Sequence, residues 1–261
     1  MARHTALLGP TTLDARPPKI IALRFVNRER EENLGEEYLV RVNPKGQVPA
    51  MTGNVLEQPL TDSESISLHL AEKHYPSMLP IQHAAVIRGL LDQFHSIHGQ
   101  SFSNKRPTAA MVQHNPSPVE GFLKRTDLSP EYRRALETKL LFHNENNGVA
   151  FHPDVVAKAK TDLQAIFAEI VEQRRQNGTY GRSDEWIFGS KVGPTVLDSH
   201  LLPLVLRCVD AENSELVPEE LQHWATDKAK SPAWQKVMHG RPTRWDESMG
   251  RIEDMEDMRS W

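Results

Sequence analysis

Asn43-Pro44-Lys45-Gly46-Gln47-Val48-Pro49-Ala50-Met51 is the stretch on which the fold reading depends. Asn-Pro followed by Lys-Gly reads as a turn, because proline fixes φ and glycine permits positive φ. Val48 then opens a short strand that Pro49 interrupts, and proline belongs at a strand's start or edge because it lacks a ladder donor. An X-Pro bond at such a corner is a candidate cis peptide, which turns the N–H and C=O of Val48 outward. An exposed pair of that kind can hold a peptide-like ligand as an added strand. An ordinary proline-limited turn explains the same residues, and this stretch alone leaves both readings open.

A second motif follows in Leu60-Thr61-Asp62-Ser63-Glu64-Ser65-Ile66-Ser67-Leu68-His69-Leu70. Asp62 or Ser63 caps a helix ending near Tyr75-Pro76. The first turn of a helix presents free N–H groups and a partial positive charge, so it can take a carboxylate. The plain alternative is an N-cap with no ligand. Asn-Pro-x-Gly-x-Val-Pro followed at this distance by Leu-Thr-Asp-Ser-x-x-Ile-x-x-x-Leu resembles the glutathione-binding half of a cytosolic glutathione S-transferase. The Gln47-Val48-Pro49 form also resembles the zeta-type isomerases of that superfamily. The resemblance implies an α/β thioredoxin-like N-terminal domain over residues 1–77 and an all-α helical C-terminal domain over residues 84–261. It implies glutathione as cofactor, held by Gln47, Val48, Pro49, Asp62 and Ser63. Ser63 would meet the γ-glutamyl carboxylate and Asp62 the α-ammonium.

Composition narrows the class. The 261 residues suit one large domain or two small ones, with 38% hydrophobic and 25% charged residues, an ordinary soluble balance. The net charge of −4 argues against a dedicated nucleic-acid binder. No apolar run approaches the ~20 residues of a membrane span, and no secretion-signal core is evident, so a cytoplasmic protein is expected. Cys208 is the only cysteine, which excludes an intrachain disulfide, a Cys-x-x-Cys pair and a cysteine zinc cluster.

Residues 4–10 read as a short strand ended by Gly9-Pro10. Asp14 then caps a helix with Pro17-Pro18 in its first turn and Ile20, Ile21, Leu23 and Phe25 as its apolar content. The family resemblance places the catalytic hydroxyl or thiol between that strand and that helix. Counting back from Arg16, the position falls on Thr12, or on Thr11 in the neighbouring register; threonine departs from the family's usual Ser, Tyr or Cys. Residues 28–37 are mostly charged and read as a solvated face where the family has a longer connection and a second strand. Met51 to Leu60 reads as a hairpin, with a turn at Thr52-Gly53-Asn54 and a return strand at Val55-Leu56-Glu57.

After a linker at 77–80, Val86, Ile87, Leu90, Leu91 and Phe94 follow helical spacing. His95 and His98 stand at a spacing metals can use, but no third ligand is in register, and a structural or pocket-lining role is expected. Residues 104–128 read as a loop or partly ordered insertion. Ser129-Pro130-Glu131 opens a helix to about Phe142, and an amphipathic helix starts at Val155 and ends at Asn177-Gly178. Thr195 and Asp198 form a capping box before a strongly apolar helix that contains Pro203 and Cys208. The Trp-x-Phe-Gly…Pro-Thr-x-x-Asp arrangement resembles the C-terminal domain of the same superfamily, where the box is a folding element. A last helix spans Leu216 to Met238, and the polar tail of residues 241–261, with Trp245 and Trp261, could fold over the pocket or stay loose.

The resemblance implies activation of the glutathione thiol by Thr12 and the start of the first helix, for attack on a small apolar electrophile. Phe94, His95, Phe102 and Met111 are the candidate pocket. Conjugation and reversible addition with cis–trans isomerisation share this geometry. The overall pattern resembles fungal transferases of secondary metabolism, and the family implies a homodimer. A non-catalytic scaffold or carrier of the same fold is the rival.

Overall fold

The computed structural model describes residues 1–244 apart from Lys19, Glu29 and Lys105, so the tail with Trp245 and Trp261 lies outside the described residues. The helices run α1 (Ala2–Leu8), α2 (Glu36–Arg41), α3 (Ser63–His74), α4 (Ala84–Ser96), α5 (Ala109–Gln113), α6 (Val119–Leu123), α7 (Pro130–Glu145), α8 (Pro153–Gln176), α9 (Val196–Asp210), α10 (Glu219–Lys228) and α11 (Pro232–Met238). Among the described residues the only β pairing outside these is an isolated antiparallel bridge between Met51 and Leu60.

The main core joins α1 to α11. Leu8, Ile66, Leu70 and Tyr75 from the first part pack in one cluster with Ile87, Leu91, Leu163, Phe167, Leu201 and Trp224. α9 is central because its face is apolar nearly all round, and its start is fixed by the capping box expected at Thr195 and Asp198. Asp198 is fully buried and accepts from Ile187 N at 3.0 Å, Thr195 N at 2.8 Å and Thr195 Oγ1 at 2.6 Å. That ties the 186–189 turn to the helix start, a structural duty.

Four expectations are corrected. Residues 4–10 are not a strand: Ala2–Leu8 is helical and buries Ala2, Thr5, Ala6 and Leu8, a spacing that suits a helix packed on α3, α9 and α11. The thioredoxin-like α/β half therefore has no named strand among the described residues. Among the described residues no helix follows Asp14, since Pro17-Pro18 and the β-branched Ile20 and Ile21 favour extended backbone. Asp14 instead accepts from Ser77 N and Oγ at 3.2 and 2.6 Å, pinning the segment to the turn at Pro76–Met78. The 51–60 hairpin pairs only at its base, through Met51 N to Leu60 O at 2.8 Å and Leu60 N to Met51 O at 2.9 Å. The last helix is two, α10 and α11, parted where Ser231 caps Trp234 N and Pro232 opens α11.

The expected insertion at 104–128 contains α5 and α6. Together with α7 it builds a second core, in which Leu34 and Leu39 meet Val119, Tyr132 and Leu136. Ser129 caps α7 and also donates to Glu36 Oε1 at 2.5 Å, joining the N-termini of α7 and α2.

Candidate functional site

The 43–49 turn is held by side chains rather than by a sheet. Asn43, 1% exposed, accepts from Lys45 N at 2.9 Å through Oδ1, and Gly46 N donates to Asn43 O at 2.9 Å. Gly46 takes φ of +58°, and a Cβ there would lie 3.2 Å from Asn33 O, Leu39 Cδ2 and Lys139 Cε, so both conformation and space call for glycine.

The next carbonyls each have a donor. Lys139 Nζ donates to Lys45 O at 2.6 Å, and Asn33 Nδ2 donates to Gly46 O at 2.8 Å. Tyr38 Oη and Asn43 Nδ2 donate to Gln47 O at 2.6 and 3.0 Å. Then the pattern stops. The Val48–Pro49 bond is cis, and the N–H and C=O of Val48 have no hydrogen-bond partner among the described residues. Val48, Gln47 and Pro49 are all exposed.

Asn43 also clips this turn to the second motif, because its Nδ2 donates to Thr61 O at 3.3 Å, the residue before Asp62. Asp62 is the N-cap of α3, accepting from Ser65 N and Ser65 Oγ at 2.7 Å each. Ser63 follows at the first helical position, half-buried, with its hydroxyl 3.5 Å from Met1 Sδ. The first N–H groups of α3 have no partner within the helix. The fold thus brings Gln47, Val48, Pro49, Asp62 and Ser63 to one edge.

Thr11 Oγ1 donates to Leu8 O at 2.6 Å and Thr12 Oγ1 to Gly9 O at 2.7 Å, so each hydroxyl proton sits on a backbone carbonyl. Of the pocket candidates, Phe94 is buried and meets His95 and His200 at ring-centroid distances of 5.1 and 6.1 Å. Phe102 is a core residue whose carbonyl accepts from Asn213 Nδ2 at 2.7 Å. Met111 is half-buried on α5, which packs on the turn at Asn147–Val149. A shallow apolar groove of about 220 Å³ lies elsewhere, lined by Ala6, Leu7, Pro17, Pro18, Ile21 and Tyr75.

His95 does not pair with His98, whose Nε2 lies 2.9 Å from Asn146 O. His95 Nε2 lies 3.0 Å from His200 Nδ1, and His200 Nε2 lies 2.8 Å from Ser67 Oγ. Thr5 Oγ1 donates to Ser67 Oγ at 2.8 Å, completing a buried polar chain from α4 through α9 and α3 to α1. Burial holds the His200 imidazolium well below its ordinary range. His95 is lowered by burial too, with Asp62 and Asp92 opposing. Sequence reading missed Asn33, Tyr38, Asn43, Ser67, Lys139 and His200. Only Asn43 carried a local signal, as the first residue of its own turn.

No family model and no curated protein matches the chain. Among solved structures it is similar to glutathione transferase F2 of Populus trichocarpa, at a TM-score of 0.50 and 18% identity, over 90% of this chain and 92% of that one. A Sulfitobacter glutathione transferase homologue with bound glutathione gives 0.49 and 15%, over 90% of each chain. A bacterial zeta-class maleylpyruvate isomerase gives 0.46 and 21%, also over 90% of each. The poplar likeness is one of fold, and it gives the chain a glutathione transferase fold.

Proposed function

We propose that the chain binds glutathione along the Val48 edge and at the start of α3, and activates its thiol for attack on a small apolar electrophile. The observation that carries this reading is the N–H and C=O of Val48, without a hydrogen-bond partner among the described residues, which follow directly after carbonyls that side chains hold in place. Such a backbone pair takes a peptide as an added strand. The free N–H groups at Ser63 suit a carboxylate, and Asp62 suits an ammonium. Conjugation and reversible addition with double-bond isomerisation share this arrangement, and a secondary metabolite suits an apolar cleft. A cytoplasmic homodimer is part of the same reading.

Thr12, or Thr11, is the hydroxyl the reading sets beside the thiol, and its proton must first leave the Gly9 or Leu8 carbonyl. That engagement favours a second reading, a non-catalytic glutathione-binding or scaffold protein. Calorimetric titration with glutathione, followed by the ultraviolet thiolate band, separates them. Binding with thiolate formation supports the enzyme, and binding without it supports the carrier. No binding at millimolar glutathione refutes both glutathione readings.

A further inference from the structure

Gln47 O and Val48 N belong to one peptide unit. That bond is trans, since Val48–Pro49 is the only cis bond among the described residues. A planar trans peptide points its C=O and its N–H in opposite directions, so whatever holds Gln47 O aims the Val48 N–H. Two donors hold it, Tyr38 Oη at 2.6 Å and Asn43 Nδ2 at 3.0 Å. A carbonyl oxygen has two lone pairs, so both are taken, and the unit cannot rotate without breaking both bonds. The Val48 N–H has no hydrogen-bond partner among the described residues, and Val48 is exposed. The peptide is thus anchored at its carbonyl and open at its N–H.

The two donors differ in what else they do. Asn43 Nδ2 also reaches Thr61 O at 3.3 Å and its Oδ1 accepts from Lys45 N, so Asn43 serves the turn as a whole. The Tyr38 hydroxyl commits its single proton to Gln47 O, in the shorter bond. Burial pushes its pKa up, so the hydroxyl keeps that proton at neutral pH. Tyr38 stands on α2, where Leu39 packs in the second core and Glu36 accepts from Ser129, so the hydroxyl is carried by a braced helix. A donor on a carbonyl polarises the whole amide and makes its N–H a stronger donor in turn.

We propose that Tyr38 is a positioning residue of the glutathione edge, whose hydroxyl acts through Gln47 O to aim and strengthen the Val48 N–H that receives the cysteinyl carbonyl of glutathione. This rests on the glutathione reading above. The cysteinyl residue is the part of glutathione that carries an amide N–H and an amide C=O on one α-carbon, as an added strand requires. Tyr38 does not touch the ligand. Its effect reaches the ligand only through the one peptide unit, and so only through a ligand that offers an acceptor to Val48 N–H.

The test crosses two proteins with two ligands, by calorimetry on the full chain. The ligands are glutathione and γ-glutamylcysteamine, which keeps the γ-glutamyl group, the amide N–H and the thiol but lacks the cysteinyl carbonyl. Tyr38→Phe keeps the ring on α2 and removes only the hydroxyl. It should weaken glutathione about fivefold, the size of one neutral hydrogen bond, and leave γ-glutamylcysteamine within about twofold of the parent. In the ligand-free variant the Val48 amide nitrogen resonance should move upfield while the methyls of Val119 and Leu136 in the second core hold their positions, which a general loosening of α2 would not produce. Equal glutathione affinity in the two proteins overturns the proposal, as does an equal loss for both ligands or an unmoved Val48 resonance. Failure of the parent to bind glutathione overturns it through the reading beneath it, and the parent's calorimetric trace alone identifies that case.

Discussion

Lys139→Met tests how α7 supports the candidate site, and two opposing effects set its outcome. Lys139 is 6% exposed, and Nζ donates to Lys45 O at 2.6 Å. Burial first, and then Arg28, lowers its pKa from 10.5 to about 8. At about 1.4 kcal/mol per pKa unit, burying the charged amine costs about 3 kcal/mol at neutral pH. A hydrogen bond from a charged group returns about 1.5–3 kcal/mol. Methionine keeps the apolar stem, removes both terms and leaves Lys45 O without its donor, so Lys139→Met should change stability at neutral pH by no more than about 2 kcal/mol. Alkaline pH separates them. The folded-state pKa lies below the unfolded one, so between them the unfolded chain holds the extra proton, and the parent gains stability as pH rises. The neutral amine still donates to Lys45 O. From about pH 7.5 to about pH 10 the parent should gain about 2 kcal/mol over Lys139→Met. Urea unfolding of both proteins at the two pH values measures this, and the difference between them cancels Tyr38, Tyr132 and Cys208, whose pKa values are also raised. An identical pH dependence in the two proteins refutes the account of Lys139 as a buried, stressed strut.

Gly46→Ala should lose about 2 kcal/mol in urea unfolding, about 1–2 kcal/mol of it from the left-handed backbone, and should weaken glutathione binding at the adjoining Val48 edge. Asp198→Ala strands Ile187 N, Thr195 N and Thr195 Oγ1 in the core, and should lower unfolding free energy by about 3 kcal/mol or more; a loss under about 1 kcal/mol would contradict the structural duty assigned to the capping box. The Cys208 thiol is buried and pushed up to about 12, so an aromatic disulfide reagent should leave it untouched at neutral pH until urea unfolds the chain.

The helices whose starts carry cap chemistry were legible. Asp62 before α3, Ser129-Pro130 before α7 and Thr195 with Asp198 before α9 all act within one helical turn, where sequence neighbours are spatial neighbours. The N-terminal segment was not legible as a helix. Ala6-Leu7-Leu8 is a short apolar run that suits either element, and its partners on α9 and α11 lie some two hundred residues away in the sequence. The histidines show the same limit. Spacing joined His95 to His98, whereas the hydrogen bond joins His95 to His200, a residue that pattern reading assigned only to a capped helix. The turn at 43–49 was legible in itself, the cis bond at Val48–Pro49 only as a candidate beside an ordinary turn, and the donors that hold it were not legible.

Those donors show how the helices after the expected insertion support the 43–49 turn. In a sheet, a neighbouring strand would satisfy the carbonyls of Lys45, Gly46 and Gln47. Among the described residues no such strand exists, and an unpaired buried carbonyl costs about 1–3 kcal/mol. Asn33 comes from the turn before α2, Tyr38 from α2 and Lys139 from α7. α2 is too short to stand alone, so it needs the second core, where Leu39 packs with Val119, Tyr132 and Leu136 and where Tyr132 Oη donates to Leu34 O at 2.7 Å. The 119–145 region thus contributes one donor directly, Lys139, and supports Tyr38 through the packing of α2, in place of work that a sheet does elsewhere. The region that reads as an interruption of the sequence pattern is what braces the 43–47 turn, while Asn43 within the turn joins it to Thr61, the residue before Asp62.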